Sequence, residues 1–156
     1  HRARKVVLVG SLGSSGFADY FSYLAQWFRE DWVVVGRNGT TLAASLARLT
    51  EADAVFAVSK APDARRTVAA LKAAFDKGVP TIVIADSHSS PSLAFADQYF
   101  IVSSKSPQFF SSYAATVVLI ETIVTLVLQK SGADAEQRIS EAEDQTKRLG
   151  EYWDEE

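Results

Sequence analysis

The stretch GSLGSSG, Gly10 to Gly16, sets three glycines and three serines between the apolar run Val6 to Val9 and an aromatic-rich segment that begins at Phe17. Glycine lets a backbone approach a ligand closely, hydroxyls both donate and accept hydrogen bonds, and free N–H groups at the start of a helix attract anions. A turn of this composition suits a phosphate or a carboxylate. An ordinary tight turn would use the same residues, so the other loops have to decide. Four of them carry similar types: Arg37 to Thr40, Ser59 to Ala64, Asp86 to Pro91 and Ser103 to Pro107. They add the cations Arg37, Lys60 and Lys105 and, beside Ser87, the imidazole of His88. Arginine and lysine both hold oxyanions, arginine with a two-pronged fork.

Other chemistries find little support. Cysteine is absent, which excludes disulfides, thiolate metal sites and cysteine nucleophiles and is compatible with a reducing cytoplasm. Two histidines, His1 and His88, do not make a convergent metal-ligand set. GSLGSSG lacks the lysine of a Walker loop, and its glycines are spaced three and three where a dinucleotide fingerprint needs two and then three. No acid closes the second strand, which ends in Gly36-Arg37. His88 could titrate near neutrality or bind a ligand oxygen, but an exposed loop histidine is the commoner case. Asp86 reads as a cap for the following turn, and Glu121, inside an apolar run, as a residue on a solvated edge or paired across an interface.

The elements that would position these loops alternate regularly. Strands are expected at Lys5 to Val9, Asp31 to Gly36, Asp53 to Ser59, Pro80 to Asp86 and Gln98 to Ser103, each continuously apolar and so expected to be buried on both faces. Helices are expected at about Ser15 to Arg29, Thr41 to Leu49, Ala64 to Lys77 and Gln108 to Lys130, with a short turn near Ser92 to Ala96. The third helix has a clear stop in Lys77-Gly78 and the proline that follows. This pattern predicts a three-layer α/β/α sandwich around a doubly wound, five-stranded parallel sheet of flavodoxin-like order. In such folds ligands sit outside the carboxyl ends of the strands, where all five loops converge.

The chain has 156 residues, 47% of them hydrophobic and 22% charged, enough for one substantial core. Its net charge of −3 gives no footprint for nucleic acid. Residues 1–130 read as the α/β domain and residues 131–156 as a charged helix and tail belonging to it. No signal peptide is visible, and the apolar run of the long helix is short and interrupted by Glu121, so a buried helix is expected rather than a membrane span. Methionine is absent even at position 1, and the chain reads as a fragment whose upstream portion is missing.

The glycine-serine turn, Ser59, ADSHSSPSLAFAD (Ala85 to Asp97) and SKSPQFFSSYAATVVLIETIV (Ser104 to Val124) together resemble the sugar isomerase (SIS) domain, most closely the carboxyl-terminal effector domain of RpiR/MurR-type bacterial transcription regulators. The resemblance implies a cytoplasmic, dimeric phosphosugar-binding domain without cofactor or metal, placed after a helix-turn-helix domain that alone would touch DNA. The family's Gly-x-Gly-x-Ser turn maps onto Gly10, Leu12 and Ser14, with Gly13 a candidate to replace the missing glycine and Ser15 the alternative serine. Ala18 follows on the helix. Its Ser-x-Ser-Gly-x-Thr loop keeps Ser59 but has Ala61, Pro62 and Ala64 elsewhere, losing two hydroxyls and an N–H donor. Lys60, Arg65 and Arg66 could supply replacement charge. The implied ligand-binding residues are Gly13, Ser14, Ser15, Arg37, Ser59, Lys60, Ser87 and His88, and no catalytic residue is assigned. Three functions follow: a non-catalytic sensor of an anionic sugar derivative, a sugar-phosphate aldose-ketose isomerase, or a dimerisation module with a decayed pocket.

A homodimer is expected through the first helix and the Gln108 to Lys130 helix. The first helix carries Phe17, Phe21, Leu24 and Phe28 on one face and Tyr20, Tyr23 and Trp27 on another, one stripe more than the sheet needs. Coverage by the terminal helix of the same chain is the alternative.

Overall fold

The structure is a computed structural model that describes residues 2–37 and 39–153; His1, Asn38 and the last three residues lie outside it. Five strands, β1 (Val6–Gly10), β2 (Trp32–Val34), β3 (Ala54–Ser59), β4 (Thr81–Ala85) and β5 (Gln98–Ile101), form one parallel sheet in the order β2-β1-β3-β4-β5. The expected order is therefore observed. Register is tight in the centre, where Val6 to Gly10 pair with Ala54 to Val58 and Val55 to Ser59 with Thr81 to Ala85.

Period-two alternation divides these apolar strands between two cores. Val6, Leu8, Phe56, Val58 and Ile84 face a core shared with α1 (Ser15–Ala25), α4 (Ala114–Ser131) and α5 (Ala133–Leu149). Val7, Val9, Val55, Ala57, Val83 and Ala85 face the other, shared with α2 (Leu42–Ala47) and α3 (Arg65–Phe75). Phe21 of α1 is wholly buried and meets Trp32 and Phe56 edge-on at 5.1 and 4.8 Å. The stop after α3 is a left-handed glycine, Gly78 at φ 70°.

Three expectations need correction. β5 is not buried on both faces: Tyr99 and Phe100 are exposed, because β5 is the sheet's edge and the chain leaves it for α4, which packs on α1. The long helix starts at Ala114, not Gln108. Ser106 Oγ takes the Gln108 N–H (3.1 Å) and the Ser104 carbonyl takes the Ser112 N–H (3.0 Å), local bonds that compete with helix formation. Nor is α4 a buried helix. Only Thr116, Ile120 and Val124 of its 18 residues are buried, a single stripe, although by length and composition alone it could cross a membrane.

On α1 the buried stripe is Ala18, Phe21, Ala25 and Phe28, with Phe17 and Leu24 at its margins. Much of the second aromatic stripe is covered within the chain. Tyr20 donates to Glu121 of α4 at 2.6 Å, Trp27 packs into the core shared with α4 and α5, and Tyr23 stays exposed. The Glu121 carboxylate raises the Tyr20 pKa by accepting that bond. The tail residue Trp153 is almost fully exposed.

Candidate functional site

β1 ends at Gly10, where a Cβ would lie 2.2 Å from the Ser14 carbonyl oxygen and 3.2 Å from the Ala18 Cβ. Only glycine lets the chain fold back this closely. The turn closes through the Ser14 N–H on the Ser11 carbonyl (3.0 Å), and Leu12 takes a left-handed backbone at φ 54°. The left-handed residue is thus Leu12 itself, at the family's second glycine position. Gly13 has no positive φ and does not take over that task. Its Cα instead faces the Tyr113 hydroxyl, 3.5 Å from where a Cβ would stand.

Beyond this turn a cleft of about 420 Å³ opens at the carboxyl ends of β1 and β2 and the start of α3. Val9, Val34 and Val35 give it apolar surface, and Leu12, 74% exposed, stands at its rim. Ser11, Ser15, Arg37, Arg65 and Arg66 supply the polar groups. Ser11 Oγ accepts from Thr67 Oγ1 (3.1 Å) and keeps its own proton to donate, whereas Ser15 Oγ donates to the Leu12 carbonyl (2.9 Å) and keeps lone pairs. The Arg37 guanidinium is forked onto Asp19, which raises its pKa. Among the described residues Arg65 and Arg66 have no carboxylate within ion-pair distance. Arg66 lies against Gly36, where a Cβ would stand 2.6 Å from its Nη2 and where φ is 68°.

The other half of the rim is closed by the chain itself. The Asp63 carboxylate accepts from Ser59 Oγ (2.6 Å) and Ser90 Oγ (2.7 Å), while Ser92 Oγ donates to Ser59 (2.7 Å). Asp86 accepts from the Ala61 N–H and from Ser104 Oγ, both at 3.0 Å, tying the loop after β3 to the loop after β5. Lys60 is buried, with its Nζ on the carbonyls of Val102 (2.6 Å) and Ala85 (3.2 Å). Burial lowers its pKa to about 8, with the Asp86 carboxylate pulling the other way.

Of the residues expected to bind ligand, Ser15 and Arg37 line the cleft. Ser59 and Lys60 are committed to internal bonds. Ser14 is buried at the start of α1, makes no capping bond and, like Gly13, does not line the cleft. Ser87 bonds Ser89 (2.6 Å), and His88 sits exposed with its ring perpendicular to that of Tyr99, both outside the cleft. Arg65 and Arg66, named above only as replacement charge, do line it. Ser11 was missed, although it lies in the same glycine-serine turn. No group of three or more metal-ligating side chains occurs among the described residues.

This rim stands on a fold with known relatives. The SIS domain family profile matches residues 1–126. The chain belongs to the SIS domain family. No curated protein matches it. Among solved structures, this SIS domain is similar to the sugar isomerase domain of the RpiR transcription factor from Sphaerobacter thermophilus, with 26% identity, TM-score 0.84, and coverage of 92% of this chain and 80% of that one. It also superposes on the Vibrio vulnificus NanR protein complexed with ManNAc-6P, with 19% identity and TM-score 0.81, covering 96% of this chain but only 57% of that one. A Methanococcus jannaschii protein with an inferred function of 3-hexulose-6-phosphate isomerase shares the fold at 15% identity and TM-score 0.71, covering 90% of this chain and 77% of that one. The likeness to RpiR agrees with an effector-domain relative.

Proposed function

We propose that this SIS domain is the non-catalytic sensing and dimerisation domain of a bacterial transcription regulator, and that a small anionic sugar derivative binds in the cleft beside β1, β2 and α3. The observation that carries this reading is the cleft's lining, three arginines and two serine hydroxyls with no carboxylate or imidazole among its described residues. An anion is welcome there, while aldose-ketose isomerisation needs a general base in reach of the substrate. The likeness to RpiR supports the regulatory side. DNA contact belongs to a domain outside this sequence, and the setting is the cytoplasm. Subunits pair through the outer face of α4, where Val118 and Leu126 are exposed.

Thermal denaturation with a panel of phosphorylated and acidic sugars tests it. A ligand at a hundred times its Kd stabilises by about 2.7 kcal/mol, or roughly 5–10 °C for a domain of this size. A panel that leaves the melting temperature unmoved overturns the sensor reading and leaves a pairing module. Turnover of any aldose or ketose phosphate in the same panel establishes an isomerase instead. Sedimentation at micromolar concentration showing only monomer refutes the dimer.

A further inference from the structure

We infer that Arg65 and Arg66 are the anion-reading residues of this domain, and that Asp63 keeps an external oxyanion out of the serine pocket formed by Ser59, Ser90 and Ser92. The inference rests on the proposed function and specifies its chemistry. Both halves of the rim present hydroxyls, but in the serine pocket an anion is already in place. The Asp63 carboxylate lies 2.6 and 2.7 Å from two hydroxyls and 3.5 Å from a third, so a second oxyanion would meet both occupied donors and a like charge.

The arginines show the opposite condition. They occupy the first turn of α3, which has no acidic residue there and whose N-cap, Ala64, makes no side-chain capping bond. Cations at a helix N-terminus oppose the macrodipole, and local stability favours an acid at that place. Proteins break such local rules at functional or strained sites. The cleft itself provides the second observation. Arg66 reaches across the cleft to Gly36, where its Nη2 lies 2.6 Å from the place a Cβ would take, so the guanidinium stands between the loop after β2 and the start of α3. With the Ser11 proton and the Ser15 lone pairs beside them, the two forks define the ligand as a hydroxylated molecule bearing a carboxylate or a phosphate monoester.

Amide NMR of the full chain, titrated separately with inorganic phosphate and with acetate, tests this. Expected are shifts at Ser11, Leu12, Gly36, Arg65 and Arg66 with phosphate, acetate or both, the pattern identifying which acid the forks accept. In the double variant Arg65→Gln/Arg66→Gln the affinity falls at least tenfold, while the melting temperature holds or rises, because the helix loses opposed charge. In Asp63→Ser a second set of shifts appears at Ser59, Ser90 and Ser92. The inference is overturned by shifts at those serines in the unaltered chain, by unchanged affinity in the arginine variant, or by no shift with either anion. A sugar ligand that binds equally well to the arginine variant overturns this inference and leaves the sensor reading intact. Anions that bind at the arginines while every sugar derivative fails do the reverse.

Discussion

The two halves of the strand-end rim are made from the same residue types and have opposite character. On the β3-β4-β5 side, Asp63 and Asp86 lie within hydrogen-bond reach of the loops' hydroxyls and an N–H, so the serines act as struts. On the β1-β2 side the carboxylate in reach, Asp19, engages Arg37 alone and leaves Arg65 and Arg66 facing a cleft. Serine content therefore does not distinguish a binding loop from a structural one. The position of the nearest internal carboxylate does.

The largest effect expected is that of Gly10→Ala in the open half. A Cβ 2.2 Å from a backbone oxygen forces the turn apart, at a cost of about 3 kcal/mol, and both the melting temperature and anion affinity should fall together. Asp63→Ala in the closed half should cost about 2 kcal/mol, since two buried-side hydroxyls lose a charged acceptor, but should leave affinity in the cleft within twofold. Equal losses of affinity in the two variants would erase the distinction between the halves. Leu12→Gly should stabilise the fold by about 1 kcal/mol in denaturant titration, because an exposed leucine at φ 54° carries the strain that glycine escapes.

A pH-dependent effect is expected at Lys60. Its folded pKa of about 8 lies below the ordinary lysine value of 10.5. Between those values the unfolded chain binds a proton that the folded chain has released, so this group makes stability rise with pH across the window and contributes no slope below it. Thermal melts of the unaltered chain against Lys60→Met from pH 7.5 to 10 check this through their difference. A flat difference would mean that the two carbonyl acceptors hold the charge on the amine throughout.

Apolar runs, turn residues and spacing determined the alternation of strands and helices and the parallel sheet with its order, because continuous apolar strands and short right-handed connections leave few alternatives, while the family was legible only through the resemblance of particular motifs. The turn at Gly10 was equally legible, since close backbone approach demands glycine. The reach of individual side chains was not. That Lys60 turns inward to two carbonyls, that Asp63 closes on Ser90, and that α4 buries one stripe of an almost wholly apolar helix all depend on atoms from segments distant in sequence. Local pattern encodes which segments become strands and helices and which loops gather at the rim. Only tertiary structure decides which of those polar groups satisfy one another and which are left facing a cleft, because hydrogen bonds form over about 3 Å and that separation is set by the packing of the whole domain.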